Sequence, residues 1–227
     1  MAPQLPKLFL ARHGDTAWTE NGRHTGRTDL PLNEHGEEHA RQLGERLRGF
    51  SFVRVFASPL IRVRKTCELA GFPLTLPSPP CDGGEGRVRG AAAEIDLDLV
   101  EWDYGKFDGR TTADILKEWP DWEMFRDGCP GGESADDVAA RVDRFIAKVQ
   151  KIDGDVLAFS SGHTIRMIAA RWCGLPPVAG RPFYCRPASV GVLGYEHQRA
   201  DQPILRLWNY VSEPQEWSLM NAPPMRS

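Results

Sequence analysis

Excess positive charge is what this chain most obviously lacks. Its 28 lysines and arginines face 31 acidic residues, a formal net charge of −3. Nothing global favours nucleic acid or an anionic membrane, so any anion site must be a local cluster of arginines. Long apolar runs are also missing. Met1 to Lys7 leads into only a few apolar residues, too short for a secretory segment or a membrane span, and a cytoplasmic location is expected. Cysteine is sparse and scattered: Cys67, Cys81, Cys129, Cys173 and Cys185. With no C-x-x-C pair and no His/Cys cluster, no metal site is expected, and free thiols in a reducing compartment follow. No internal repeat is present.

What is there reads as strands alternating with helices. The 227 residues suit a single domain spanning 1–227, and 41% hydrophobic residues supply a sizeable core. Leu8-Phe9-Leu10-Ala11 has the composition of a buried strand. Asn33 caps a helix from Glu34 to Leu47, which Gly49 can end. Phe52 to Phe56 alternates like a strand, and Ser58-Pro59 opens a helix through Leu69 with Pro59 in its first turn. The Pro- and Gly-rich stretch 73–90 reads as a surface loop. Asp114 to Phe125 is helical but interrupted at Pro120. Ser134 and Asp137 resemble a capping box ahead of the stripe Val138, Val142, Phe145, Ile146 and Val149. A strand at 155–159, a helix from Thr164 to Trp172, late strands at Val190–Tyr195 and Ile204–Trp208, and a loosely held tail after Tyr210 complete the pattern.

This alternation implies a three-layer α/β fold, a mostly parallel central sheet with helices on both faces. Ligands of such sheets bind beyond the carboxyl ends of the strands. Arg12-His13-Gly14, Ser58 and Ser160-Ser161-Gly162 all follow strands directly, so distant segments converge on one pocket.

The residues there suit phosphoryl chemistry. His13 is an imidazole able to form a covalent phosphohistidine. Gly14 lets the backbone approach closely. Arg12, and Arg62 one turn into its helix, offer forked donors that match phosphoryl oxygens. Glu101, flanked by Trp102 and Tyr104, is a carboxyl group that burial would raise in pKa so that it can protonate a leaving oxygen. Asp103 competes for that role on composition alone.

Taken together, Arg12-His13-Gly14, Ser58-Pro59-Leu60-x-Arg62-x-x-x-Thr66, Leu99-x-Glu101-x-x-x-Gly105-x-x-x-Gly109 and the late strand–Gly162 turn resemble the histidine phosphatase superfamily, the phosphoglycerate mutase-like family. The resemblance runs from about Leu8 to about Tyr195. It implies that His13 is the phosphorylated nucleophile, that Arg12 and Arg62 bind phosphate, and that Glu101 is the general acid and base, with no cofactor and no metal. It places Thr19, Thr25 and Gly26 at the substrate site, with His24 beside them.

Ser161 departs from the pattern, which has histidine at that position as a donor to the phosphoryl group. Serine is shorter and uncharged, and His163, two residues on, would have to reach the same point from a different backbone site. An introduced change, a phosphatase that works with serine, and a phosphate-ester-binding pseudoenzyme are the alternatives. The Gly105-Lys106-Phe107-Asp108-Gly109 run looks like the phosphatase branch, not the mutase branch. Thr25 to Leu32, Glu101-Trp102 and Trp122 to Cys129 are similar to sugar-phosphate phosphatases such as the fungal-type sedoheptulose bisphosphatases. The expected reaction is hydrolysis of a small sugar or polyol phosphate to inorganic phosphate. A mutase needing a bisphosphorylated primer is the rival. The oligomeric state is open, a homo-oligomer included.

Overall fold

Alternation inside uninterrupted apolar strands builds the layers. The computed structural model describes residues 4–74 and 92–211. In β1 (Leu8–Arg12) the side chains of Leu8 and Leu10 enter one core cluster while Phe9 and Ala11 enter the other. Successive strand residues point to opposite faces, so a wholly apolar strand feeds both. The strand Val156–Ser160 does the same, with Val156 and Ala158 on one side and Leu157 and Phe159 on the other.

In chain order, β1 leads to α1 (Ala17–Glu20), α2 (Glu34–Leu47), β2 (Arg54–Ala57), α3 (Ile61–Leu69), β3 (Ala93–Ile95), α4 (Thr112–Glu118), α5 (Met124–Asp127), α6 (Ala135–Val149), β4 (Val156–Ser160), α7 (Gly162–Trp172), β5 (Val190–Tyr195) and β6 (Pro203–Tyr210). The sheet order is β3-β2-β4-β1-β5-β6. The strands from β3 to β1 pair in parallel; β5 runs antiparallel to β1, and β6 antiparallel to β5. Helices α2 and α3 cover one face through Leu43, Leu47, Val63 and Cys67. Helices α6 and α7 cover the other through Val142, Phe145, Val149, Ile165 and Ile168. The stripe expected on α6 is buried, and its Ser134–Asp137 capping box is present.

Several boundaries differ from the sequence reading, each for a local reason. Helix α3 starts at Ile61, not at Pro59. Leu60 is extended, and the Ile61 N–H donates to Asp29 Oδ1 at 2.7 Å, so a distant loop caps this helix. The break expected at Pro120 is present, with Trp119 leaving helical geometry one residue earlier, but the first piece starts at Thr112 and the second ends at Asp127. Helix α7 begins at Gly162, two residues early. The short edge strand β3 was not anticipated, and β6 is longer than expected. The loop expected at 73–90 and the tail expected after Tyr210 fall almost entirely outside the described residues.

Register then sets the site. Arg12 is level with Ser160, and Ala57 with Phe159. The ladder continues one step further: His13 N–H donates to Ser160 O at 3.1 Å, and Ser58 N–H to Phe159 O at 3.0 Å. The carboxyl ends of β1, β4 and β2 therefore stop side by side. Among the described residues no helix is long and apolar enough to cross a membrane, and no three His, Cys, Asp or Glu side chains are grouped to hold a metal.

Candidate active site

His13 follows β1 and is only 2% exposed. Its Nδ1 lies 2.7 Å from the Gly14 carbonyl oxygen. A carbonyl can only accept, so Nδ1 carries the hydrogen and Nε2 the lone pair. Burial first, then the Arg62 and Arg12 charges, hold the ring's pKa well below the ordinary histidine value; the Gly14 carbonyl and Glu101 oppose this more weakly. The result is a neutral imidazole with a nucleophilic nitrogen. That nitrogen accepts from Arg62 Nε at 3.3 Å.

His13 opens on a cavity of about 300 Å³. Arg12, Arg62 and Arg166 stand in its wall. Arg62 is fully buried, its other donors held by Gly26 O at 2.7 Å and Thr28 O at 2.9 Å. Arg12 Nη1 donates to Cys185 O at 2.6 Å, while its Nε is buried without a partner among the described residues. Arg166 donates to Gly180 O at 3.2 Å and lies 4.7 Å over the Phe125 ring. Among the described residues none of the three guanidinium groups is in an ion pair; their hydrogen bonds go to carbonyls or to His13. Positive charge held this way is available to an anion.

Glu101 supplies the cavity's carboxylate. Its Oε1 accepts the N–H groups of Trp102 at 2.9 Å and Thr164 at 3.0 Å, and its Oε2 accepts that of His163 at 3.2 Å. Glu101 thus does the capping of α7 that the side chain at its own N-cap, Ser161, does not do. Burial is the largest single influence and pushes the Glu101 pKa up. The Trp102 amide, Arg62 and the two helix amides together outweigh it, so the carboxyl sits below its ordinary value. This corrects the raised value expected from the sequence, which could not show those amides. The loop is clasped from behind. Ser160 Oγ donates to Leu99 O at 2.7 Å, Arg141 donates to Asp98 O at 2.8 Å, and the Glu133 carboxylate takes the Asp103 N–H at 2.8 Å. Asp103 itself bonds the Gly105 N–H and faces Arg27, away from the cavity wall.

Above Glu101 sits a neutral aromatic cluster. Tyr104 Oη is 2.6 Å from His163 Nδ1, and that nitrogen is 4.0 Å from Glu101 Oε2. Burial, then Arg166, His24 and Arg12, push the His163 pKa well down. Burial likewise takes His24 down to about 4. Its ring lies 4.9 Å from Tyr104.

The histidine phosphatase superfamily (branch 1) model matches residues 8–83 and 85–210. This chain belongs to the histidine phosphatase superfamily. It is 30% identical to the sedoheptulose 1,7-bisphosphatase of Saccharomyces cerevisiae, over 96% of this chain and 98% of that one. It is 36% identical to an acid phosphatase of Mycobacterium tuberculosis, over 88% and 92%. A solved structure of an open-reading-frame product from the same bacterium superposes with a TM-score of 0.79 at 34% identity, covering 91% of this chain and 98% of that one. Both of these relatives are named as phosphatases; others, 27% identical over 85% of this chain and 86% of their own length, are named probable phosphoglycerate mutases of Salmonella.

In this chain, Arg12, His13, Thr19, His24, Thr25, Arg62, Glu101, Tyr104, Gly162 and His163 all line the one cavity. Other residues expected at the site do not. Trp102 is fully buried behind the wall. Its indole N–H donates to Glu133 O at 2.8 Å and its ring meets Phe125 edge-on, so it is a core residue. Ser58 and Ser161 are fully buried, and each hydroxyl lacks a partner among the described residues. Gly14 serves packing: its N–H donates to Thr66 Oγ1 at 3.0 Å, and a Cβ there would come 2.2 Å from Gly36 O. Gly26 contributes its carbonyl to Arg62 and not to the wall. Sequence reasoning missed Arg23, Arg166, Tyr184 and Cys185, which line the cavity. Arg166 alone carried a signal, standing three residues after His163 in an otherwise apolar helical run.

Proposed function

We propose that this chain hydrolyses a small sugar or polyol phosphate monoester through a phosphohistidine at His13. One observation carries the reading: a buried neutral imidazole, its hydrogen tied to Gly14 O, presents Nε2 to a cavity flanked by guanidinium groups free of carboxylates. The sugar class rests on the likeness to the yeast bisphosphatase and on the hydroxyl and imidazole groups of Thr19, Thr25, Tyr104 and His24 around the cavity.

In the proposed reaction Arg62 Nε transfers its hydrogen bond from Nε2 to a phosphoryl oxygen. Nε2 then forms a bond to phosphorus as the ester P–O bond breaks and its electron pair leaves with the sugar oxygen. Glu101 gives that oxygen a proton. A bound phosphate dianion lifts the carboxyl pKa from its low starting point, so the acid is protonated when it is needed. Water next attacks phosphorus, Glu101 takes its proton, the P–N bond breaks and inorganic phosphate leaves. Arg12 and Arg62 stabilise the charge on the transferring group throughout.

Ser161 takes no part in this chemistry, because its hydroxyl is buried and cannot replace an imidazole donor. Phosphate release from a sugar-phosphate panel, with no bisphosphorylated primer added, tests the reading. Hydrolysis lost in His13→Ala is the expected result. Turnover that requires a primer and returns phosphate to carbon would instead establish a mutase.

A further inference from the structure

Ser161 occupies the place where the superfamily pattern has a phosphoryl donor, yet its Oγ is buried, unpartnered and outside the cavity wall. Two residues on, His163 is in that wall. Tyr104 Oη, itself buried, has the 2.6 Å contact with His163 Nδ1 as its hydrogen bond. The phenol's one hydrogen has no other acceptor among the described residues, so the phenol donates and Nδ1 accepts. A neutral ring then carries its hydrogen on Nε2. Among the described residues His163 Nε2 makes no hydrogen bond and is not a buried unpartnered atom, and its residue lines the cavity. The ring is also fixed, with Tyr104 edge-on at 5.7 Å, Phe125 at 5.7 Å and Trp102 edge-on at 6.5 Å.

We infer that His163 Nε2–H, oriented by Tyr104, donates to the phosphoryl group in place of the histidine that the superfamily pattern puts at 161. This rests on the phosphatase reading above and assigns one further catalytic residue to the same site. It reverses the expectation from the sequence, in which His163 stood too far along the backbone. The helix start explains the reversal: residue 161 is the extended N-cap, while 163 lies in the first turn beside Glu101. Tyr104 is a positioning residue. It selects the tautomer without touching phosphate.

A four-protein cycle tests this: the parent, His163→Ala, Ser161→His, and the double variant. It is read by kcat and KM on the best sugar phosphate and by affinity for orthovanadate, a phosphoryl transition-state mimic, measured calorimetrically. Removing one such donor typically costs about a hundredfold or more. In the parent, His163→Ala should lower kcat by about that factor and weaken orthovanadate about tenfold, with KM little changed. In the Ser161→His background the same removal should cost at least tenfold less, because the donors are redundant. His163→Gln, whose amide Nε2–H reaches the same point, should recover part of both losses, and Tyr104→Phe should lower kcat more than it raises KM. Equal losses in the two backgrounds, or unchanged orthovanadate binding in His163→Ala, would overturn the assignment. If the parent has no phosphatase activity at all, the functional reading fails, while the orthovanadate arm still decides this one.

Discussion

The Glu101 carboxylate and the Thr164 backbone N–H meet at 3.0 Å, and through this contact the acid of the site also holds the start of α7. Chemistry and helix capping share one side chain, so its variants separate the two roles.

Glu101→Gln keeps an oxygen acceptor for the helix amides but cannot deliver a proton. Its expected phenotype is a kcat reduced by about 10²–10⁴-fold with near-parental stability at neutral pH. Glu101→Ala should lose the activity and also about 1–3 kcal/mol, since buried N–H groups are left unpaired. Because the folded carboxyl titrates below the ordinary value of 4.5, its contribution is complete above that value and fades as pH falls through the lower folded one. Thermal melts from pH 7 to 3 should show the gap between the parent and Glu101→Ala narrowing on the acid side. A gap that stays constant would contradict the capping role.

His13 should remain neutral well below pH 6.5, since its pKa is lowered. Ring-nitrogen NMR is expected to show one tautomer, hydrogen on Nδ1, with no titration step near 6.5. A normal histidine midpoint there would remove the basis for a pre-formed nucleophile.

Ser161→His restores an imidazole at the end of β4. A kcat gain of no more than about tenfold is the expected outcome, below the ~10²–10³-fold worth of a missing oxyanion donor, because His163 already fills that role. No hydrolysis by either protein, with tight sugar-phosphate binding retained, would favour a binding protein over an enzyme.

Gly36→Ala tests the contact that seats the His13 loop. Alanine normally favours a helix over glycine by about 0.5–1 kcal/mol. Here the new Cβ would stand 2.1 Å from Asp15 O, a backbone atom. Overpacking of this kind costs about 1–3 kcal/mol or more, so urea denaturation should show net destabilisation, and KM should rise as Gly14 and His13 shift. A stabilised variant would mean that the loop gives way freely.

Local signals made much of this molecule legible from its sequence. Asn33 and Ser134 announced α2 and α6, because an N-cap side chain bonds amides only three residues away. The apolar strands announced the sheet, since strands buried on both faces leave no polar alternation. Arg12-His13-Gly14 stood out because strand ends in such a sheet converge, and Glu101 because two aromatic residues flank it. Where signals were non-local the sequence was silent. Asp29 capping α3, Glu101 capping α7 and Arg141 clasping the Asp98 carbonyl all join residues distant in the chain.

By itself, then, the chain determined its elements, its superfamily and the identity of the imidazole, guanidinium and carboxyl groups, through short-range periodicity and motif spacing. Only the tertiary structure decided which way those groups point and how they are charged. It buried Trp102 in the core and Ser161 outside the cavity wall, and it brought His163 into that wall. It also lowered the Glu101 pKa that burial alone would have raised. Orientation and charge depend on neighbours brought in by folding, and no stretch of sequence contains its own neighbours.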